Sequence, residues 1–145
     1  MADTTITAAN SVFTITAASA GIVGVQLFGY STDRGFFTDA NQLAEIQMGV
    51  DGYMTAGYTP TPQVMHVTLM ADSPSKAVFK AVEQTMRSTR EVIYLSAEIA
   101  LPSTAEKYTM VRGILTQTKT MPDAAKVLQP VEYTITWQSI TASVL

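Results

Sequence analysis

Any catalytic or metal-ligating reading of this chain has to start from one histidine, His66, and from the absence of cysteine. A zinc-type site needs three or four converging donors, and His66 has no second histidine at ligand spacing and no carboxylate close to it in sequence. A structural or surface imidazole is therefore expected there, neither a metal ligand nor a general base. Carboxylates such as Glu45, Asp51 and Asp72 could meet in space, but nothing in their spacing says that they do. Asp39 and Asn41 fall short of a calcium loop, which needs more oxygen donors at fixed positions and a glycine. The serines lie outside any G-x-S-x-G elbow. Gly21 and Gly24 lack the spacing of a phosphate-binding loop, and no helix follows them. The eight methionines read as core filler. The expectation is a chain with no catalytic residues, no metal and no cofactor, and hence not an enzyme.

Composition narrows the remaining classes. The 145 residues are the size of one domain with a core of its own, and 47% are apolar, which argues against disorder. Only 14% are charged, against about 25% in an ordinary soluble domain, which points to surface covered by other subunits. The net charge of −3 and the scattered lysines and arginines argue against a nonspecific DNA-binding face. The opening MADTTITAAN has neither a basic region nor an apolar stretch, so no secretion signal is expected there. No apolar run approaches the roughly 18 residues of a membrane span.

The elements that would position these residues are mostly strands. Residues 73–88, SPSKAVFKAVEQTMRS, are the exception and predict a single helix. Ser73 is placed as the N-cap and Pro74 at the first helical position. Val78, Phe79, Val82 and Met86 form one apolar face, and Glu83 precedes Arg87 by four. Lys76 is a misfit, a cation near the positive end of the helix. Strands are predicted over residues 11–18, 25–31, 43–50, 53–58, 63–71, 91–101, 107–121 and 131–140, by period-2 alternation. Asp51-Gly52 suits a two-residue type I′ turn, which pairs the third and fourth strands. Gly113 interrupts its strand and marks a possible bulge. Residues 31–42, STDRGFFTDANQ, form a long loop with adjacent phenylalanines, Phe36 and Phe37, flanked by Asp33, Arg34 and Asp39. Such a pair either folds back on its own core or inserts into a partner, with the partner favoured. The fold class expected is mainly β with one α-helix: packed antiparallel sheets in a sandwich or flattened barrel, with one helix against a side.

Four stretches carry a family resemblance: MGVDGYMTAGYTP (residues 48–60), ADSPS (71–75), LPSTAEKYT (101–109) and KVLQPVEYTITWQS (126–139). They resemble phage tail tube proteins, chiefly those of contractile-tailed phages and related prophage elements, and the similarity runs over about residues 5–141. The resemblance implies a single tail-tube domain over residues 1–145, with an extended hairpin loop at 31–42 reaching adjacent subunits and one helix at 73–88. It implies hexameric rings stacked into a hollow conduit through which DNA leaves the capsid. The implied partners are other copies of the chain and the tail sheath, baseplate and terminator proteins. DNA would pass through the lumen without specific binding, and no membrane is involved. The implied location is the virion tail, and the host cytoplasm during assembly.

Within that reading, Asp33, Arg34, Phe36, Phe37 and Asp39 are candidate inter-subunit contacts. A lumen that lets DNA slide should be uncharged or negative, and six copies would sum to about −18 per ring. The polar strand positions Glu45, Gln47, Glu132, Thr134 and Gln138 are the lumen candidates. The alternatives are an Hcp-like or pyocin-like tube, or a monomeric ligand-binding β-sandwich.

Overall fold

A computed structural model of the chain describes residues 11–30 and 35–144. Alternating sequences give ten strands: β1 (Val12–Ala17), β2 (Ile22–Gln26), β3 (Phe36–Thr38), β4 (Ala44–Met48), β5 (Met54–Tyr58), β6 (Gln63–Leu69), β7 (Leu95–Leu101), β8 (Glu106–Gln117), β9 (Val131–Trp137) and β10 (Ser139–Val144). One helix, α1 (Lys76–Thr89), lies between β6 and β7. All pairings are antiparallel. The mainly β class with one helix, in an open sandwich-like arrangement, is as expected. Among the described residues, no helix is long and apolar enough to cross a membrane.

The long strand β8 belongs to two sheets. Its first half pairs with β7 and β10, extending a sheet in the order β2-β1-β7-β8-β10. Its second half pairs with β9, which leads through β6 to the short edge strand β3. The corner falls at Arg112–Gly113. Arg112 has a positive φ of 50°, and its guanidinium lies over the Tyr94 ring, 4.5 Å from the centroid. Gly113 is needed for space: a Cβ there would run into the six-membered ring of the Trp137 indole. Opposite this corner the partner strand breaks at Gln138, whose N–H donates to both Val111 O and Arg112 O. The strand predicted over 131–140 is therefore two, β9 and β10, bent together with β8.

The core lies between the sheets. Phe13, Ile15, Met65, Val67, Leu95, Ile99, Met110, Ile135 and Trp137 are buried from both sides. Phe13 of the first sheet meets Phe36 of the second edge to face at 5.8 Å, and Tyr30 fills the third corner of this aromatic group. The helix closes one side: Phe79 stacks on Tyr133 at 4.3 Å, and Val82 is buried beside it.

The helix start differs from the expectation. Helical geometry begins at Lys76, and Ser73–Pro74–Ser75 form the turn before it. Both serines are buried and clasp the chain leaving β2. Ser73 Oγ donates to Phe28 O, and Phe28 N–H donates to Ser75 Oγ at 2.7 Å. Ser73 Oγ still accepts one N–H of the turn, from Ser75 at 3.3 Å. The misfit of Lys76 is resolved by its own length, since Nζ reaches back to Ala71 O at 2.7 Å.

Candidate assembly interface

Among the described residues β4 and β5 pair only with each other and stand apart from both sheets. Their register makes the hairpin two-faced. Ala44, Ile46 and Met48 lie opposite Tyr58, Ala56 and Met54, giving an apolar face; Glu45 and Gln47 lie opposite Gly57 and Thr55, giving a polar one. Every residue of both strands is exposed, Ile46 at 61% and Tyr58 at 78%. A lone two-stranded hairpin is marginal in water, and an uncovered apolar face marks a contact surface. The turn is a three-residue loop. Gly52 N–H donates to Gly49 O, Gly49 N–H donates to Tyr53 O, and only Gly52 needs a positive φ, 85°. The two-residue type I′ turn expected at Asp51-Gly52 is thus replaced by a type I turn closed by an αL glycine.

The outer face of the first sheet is rich in hydroxyls. Gln26, Thr14, Glu98, Thr109 and Thr141 form one continuous cross-strand row over five strands. Ser96, Thr16 and Ser143 add to the same face, and its Glu98 carboxylate faces Lys107 Nζ at 3.4 Å. On the second sheet, His66 sits among Phe37, Asp39, Glu132 and Thr134. The Phe37 ring stacks on the imidazole at 4.7 Å, and Asp39 and Glu132 oxygens lie 3.2 and 3.1 Å from Nε2 and Nδ1. Between the sheets a cleft of about 400 Å³ opens beside β10, walled by Phe36, Met65, Leu101, Tyr108, Met110 and Ile140. Burial pushes the Tyr30 and Tyr133 phenols up, and a hydrogen bond to the Glu106 carboxylate does the same for Tyr108. No group of three or more ligand residues suited to a metal occurs among the described residues.

Residues 4–141 match the family described as tail fiber protein gp32. The chain belongs to that family. No protein of curated function matches it. Solved structures share the fold of this gp32-family chain at low identity. One comes from the anti-feeding prophage cap, described as a tube terminating cap, with 11% identity, a TM-score of 0.64, and 100% of this chain and 95% of that chain covered. A second is from the sheath/tube terminator of an extracellular contractile injection system in the extended state, with 9% identity, a TM-score of 0.66, and 99% and 100% covered. A third, from the sheath–tube complex of such a system, has 8% identity, a TM-score of 0.55, and 97% and 93% covered.

The gp32-family chain distributes the sequence-derived candidates unevenly. Asp33 and Arg34 lie outside the described residues. Phe36 and Phe37 are half-buried in β3, and each meets partners in its own chain, Phe13 and Tyr30 for Phe36 and His66 for Phe37. Of the segment 31–42, residues 31–34 lie outside the described residues and Phe36–Thr38 form β3, paired with β6; among the described residues the hairpin that pairs with no other strand is β4–β5. Glu45 and Gln47 share the polar hairpin face. Glu132 is half-exposed beside His66, whereas Thr134 is only 8% exposed, its hydroxyl 3.2 Å from His66 Nδ1, so it offers little surface to a lumen. Gln138 is exposed at the break between β9 and β10. The five lumen candidates thus occupy three separate regions. The hydroxyl row of the first sheet was missed; its signal was the Thr14/Thr16 alternation of the first predicted strand.

Proposed function

We propose that this gp32-family chain is a structural, non-enzymatic subunit of a phage tail or tail-like particle that assembles as rings around a hollow tube. The observation that carries the reading is the β4–β5 hairpin, with Ile46, Met48, Met54 and Tyr58 presented to solvent on one face. Burying such a face against a neighbouring copy recovers about 1.5 kcal/mol or more per large side chain, enough to join subunits when repeated around a ring. Sheet edges that meet no further strand among the described residues, as at β2, β3 and β10, give further places for copies to meet. We further propose sixfold rings that stack into a conduit for DNA. The best non-adhesive wall is the hydroxyl row from Gln26 to Thr141, whose only charged member, Glu98, is paired with Lys107. Neutral hydroxyls do not exchange for counterions on phosphate, so DNA would slide past them. Sheath, baseplate and terminator proteins are the proposed neighbours in such a particle.

A second reading is favoured by the comparisons. The terminator and cap structures share the fold at TM-scores of 0.66 and 0.64, against 0.55 for the sheath–tube complex. A subunit that ends the tube would form a ring but would not stack without limit. Electron microscopy of the purified chain, with its mass in solution, tests both. Long hollow tubes support the tube subunit, single rings support the terminator, and a monomer at high concentration argues against ring assembly. Ile46→Asp combined with Tyr58→Asp should abolish rings while leaving the β-rich spectrum unchanged.

A further inference from the structure

We propose that Met48 and Met54 are a site of reversible oxidation that gates assembly of the chain. The inference rests on the reading of the β4–β5 hairpin as a contact between copies. The methionines divide by exposure. Met65 and Met110 fill the core at 1% exposure each, whereas Met48 and Met54 stand 64% and 53% exposed on the apolar hairpin face with Ile46. They also lie opposite one another in the ladder, and no other described strand pairing sets two methionines face to face. Gly49 N–H donates to Tyr53 O at one end of the hairpin, and Thr59 N–H donates to Leu43 O at the other. Hydrogen-bonded pairs alternate with non-hydrogen-bonded ones, so Met48–Met54 is of the second kind, in which opposed side chains come closest. Two thioethers therefore share one spot beside the turn, open to a small solute.

The oxidant is a peroxide. A thioether has no proton to lose before it reacts, so access decides which sulfur is oxidised. A sulfur lone pair attacks one peroxide oxygen, the O–O bond breaks and an S=O bond forms. The hydroxide released takes the proton left on the transferred oxygen and departs as water. The sulfur loses two electrons and the peroxide gains them. Each sulfoxide is a polar acceptor where an apolar group stood. On the free hairpin water solvates it, but under a neighbouring copy it is buried without a donor. Oxidation thus makes the end of the contact face polar on both strands at once. It acts before copies meet, since the assembled contact covers the sulfurs. Enzymatic reduction of the sulfoxide returns the thioether, which makes the gate reversible.

Hydrogen peroxide added to the free chain is the test. Peptide mass spectrometry should find an added oxygen on Met48 and Met54 well before Met65 or Met110. The oxidised chain should associate about tenfold more weakly in sedimentation, the scale of one buried polar group left unpaired. Treatment with methionine sulfoxide reductases for both sulfoxide epimers should restore association. Met48→Leu combined with Met54→Leu keeps the face apolar and removes both sulfurs. Given the same peroxide, this variant should associate as before, although Met70 and Met121, 38% and 73% exposed, remain in it to be oxidised. An oxidised parent chain that associates as well as the untreated one overturns this inference alone. So does a leucine variant that loses association to peroxide as the parent does. An untreated chain that never associates overturns the ring reading and takes this inference with it.

Discussion

Tyr30 illustrates how much single side chains decide in this fold. Its hydroxyl is buried and meets no hydrogen-bond partner among the described residues, while its ring packs on Phe13 and Phe36. Removing an unpaired buried hydroxyl costs nothing in hydrogen bonding, so Tyr30→Phe should leave stability equal or slightly higher near neutral pH. The alkaline limb is the sharper test. The folded-state phenol is raised above its ordinary value of 10.0 by burial. The unfolded chain therefore gives up this proton first, and stability that is complete below about pH 10 declines as pH rises further. Tyr30→Phe should flatten that decline in part, with Tyr108 and Tyr133 supplying the rest. Gly113 is the opposite case. Gly113→Ala would push a methyl group into the Trp137 ring at the corner where both sheets meet. A loss of about 2 kcal/mol or more is expected from overpacking at a site with no room to give. Urea titration followed by the single tryptophan would measure it.

At the scale of elements, the turn before α1 ties three parts of the chain together. Ser73 and Ser75 together satisfy both backbone groups of Phe28, and Gly29 beside it has φ of 75° with no space for a Cβ against Ser73. Ser75→Ala leaves the Phe28 N–H without a partner, and Ser73→Ala leaves its carbonyl so; each should cost about 1–2 kcal/mol. A helix-cap role does not account for either loss, since Ser75 stands at the N-cap and its side chain makes no cap hydrogen bond. The β4–β5 hairpin is the element with least support of its own. Every residue of its strands is exposed in the free chain. The fastest amide exchange among the strands is expected there, slowing once copies meet.

For the whole molecule, assembly is the property that the fold makes testable. A free chain with an uncovered apolar hairpin should associate as concentration rises, and the Ile46→Asp, Tyr58→Asp pair should hold it monomeric in sedimentation. Salt should alter that association little, because the proposed contact is apolar and the net charge is only −3. A parent chain that stays monomeric at high concentration argues against ring assembly through this hairpin.

Much of this was determined locally and so was legible in the sequence. The apolar stripe of Val78, Phe79, Val82 and Met86, the alternation of Val131 to Trp137, the Glu83–Arg87 pair and the disruption at Gly113 are short-range patterns, and each lies where the sequence put it. The mainly β class follows from their sum. What the tertiary structure alone decided depends on pairings between residues far apart in the chain. Phe36 turns inward because Phe13 and Tyr30 wait for it across the sandwich. His66 acquires Asp39 and Glu132, 27 and 66 positions away, because β6 lies between β3 and β9. The phenylalanine pair sits in a strand because the β3–β6 register takes Phe36 and Phe37 opposite Val67 and His66. Periodicity fixes which way a side chain points from its own strand; only the order of strands in space fixes what it meets there.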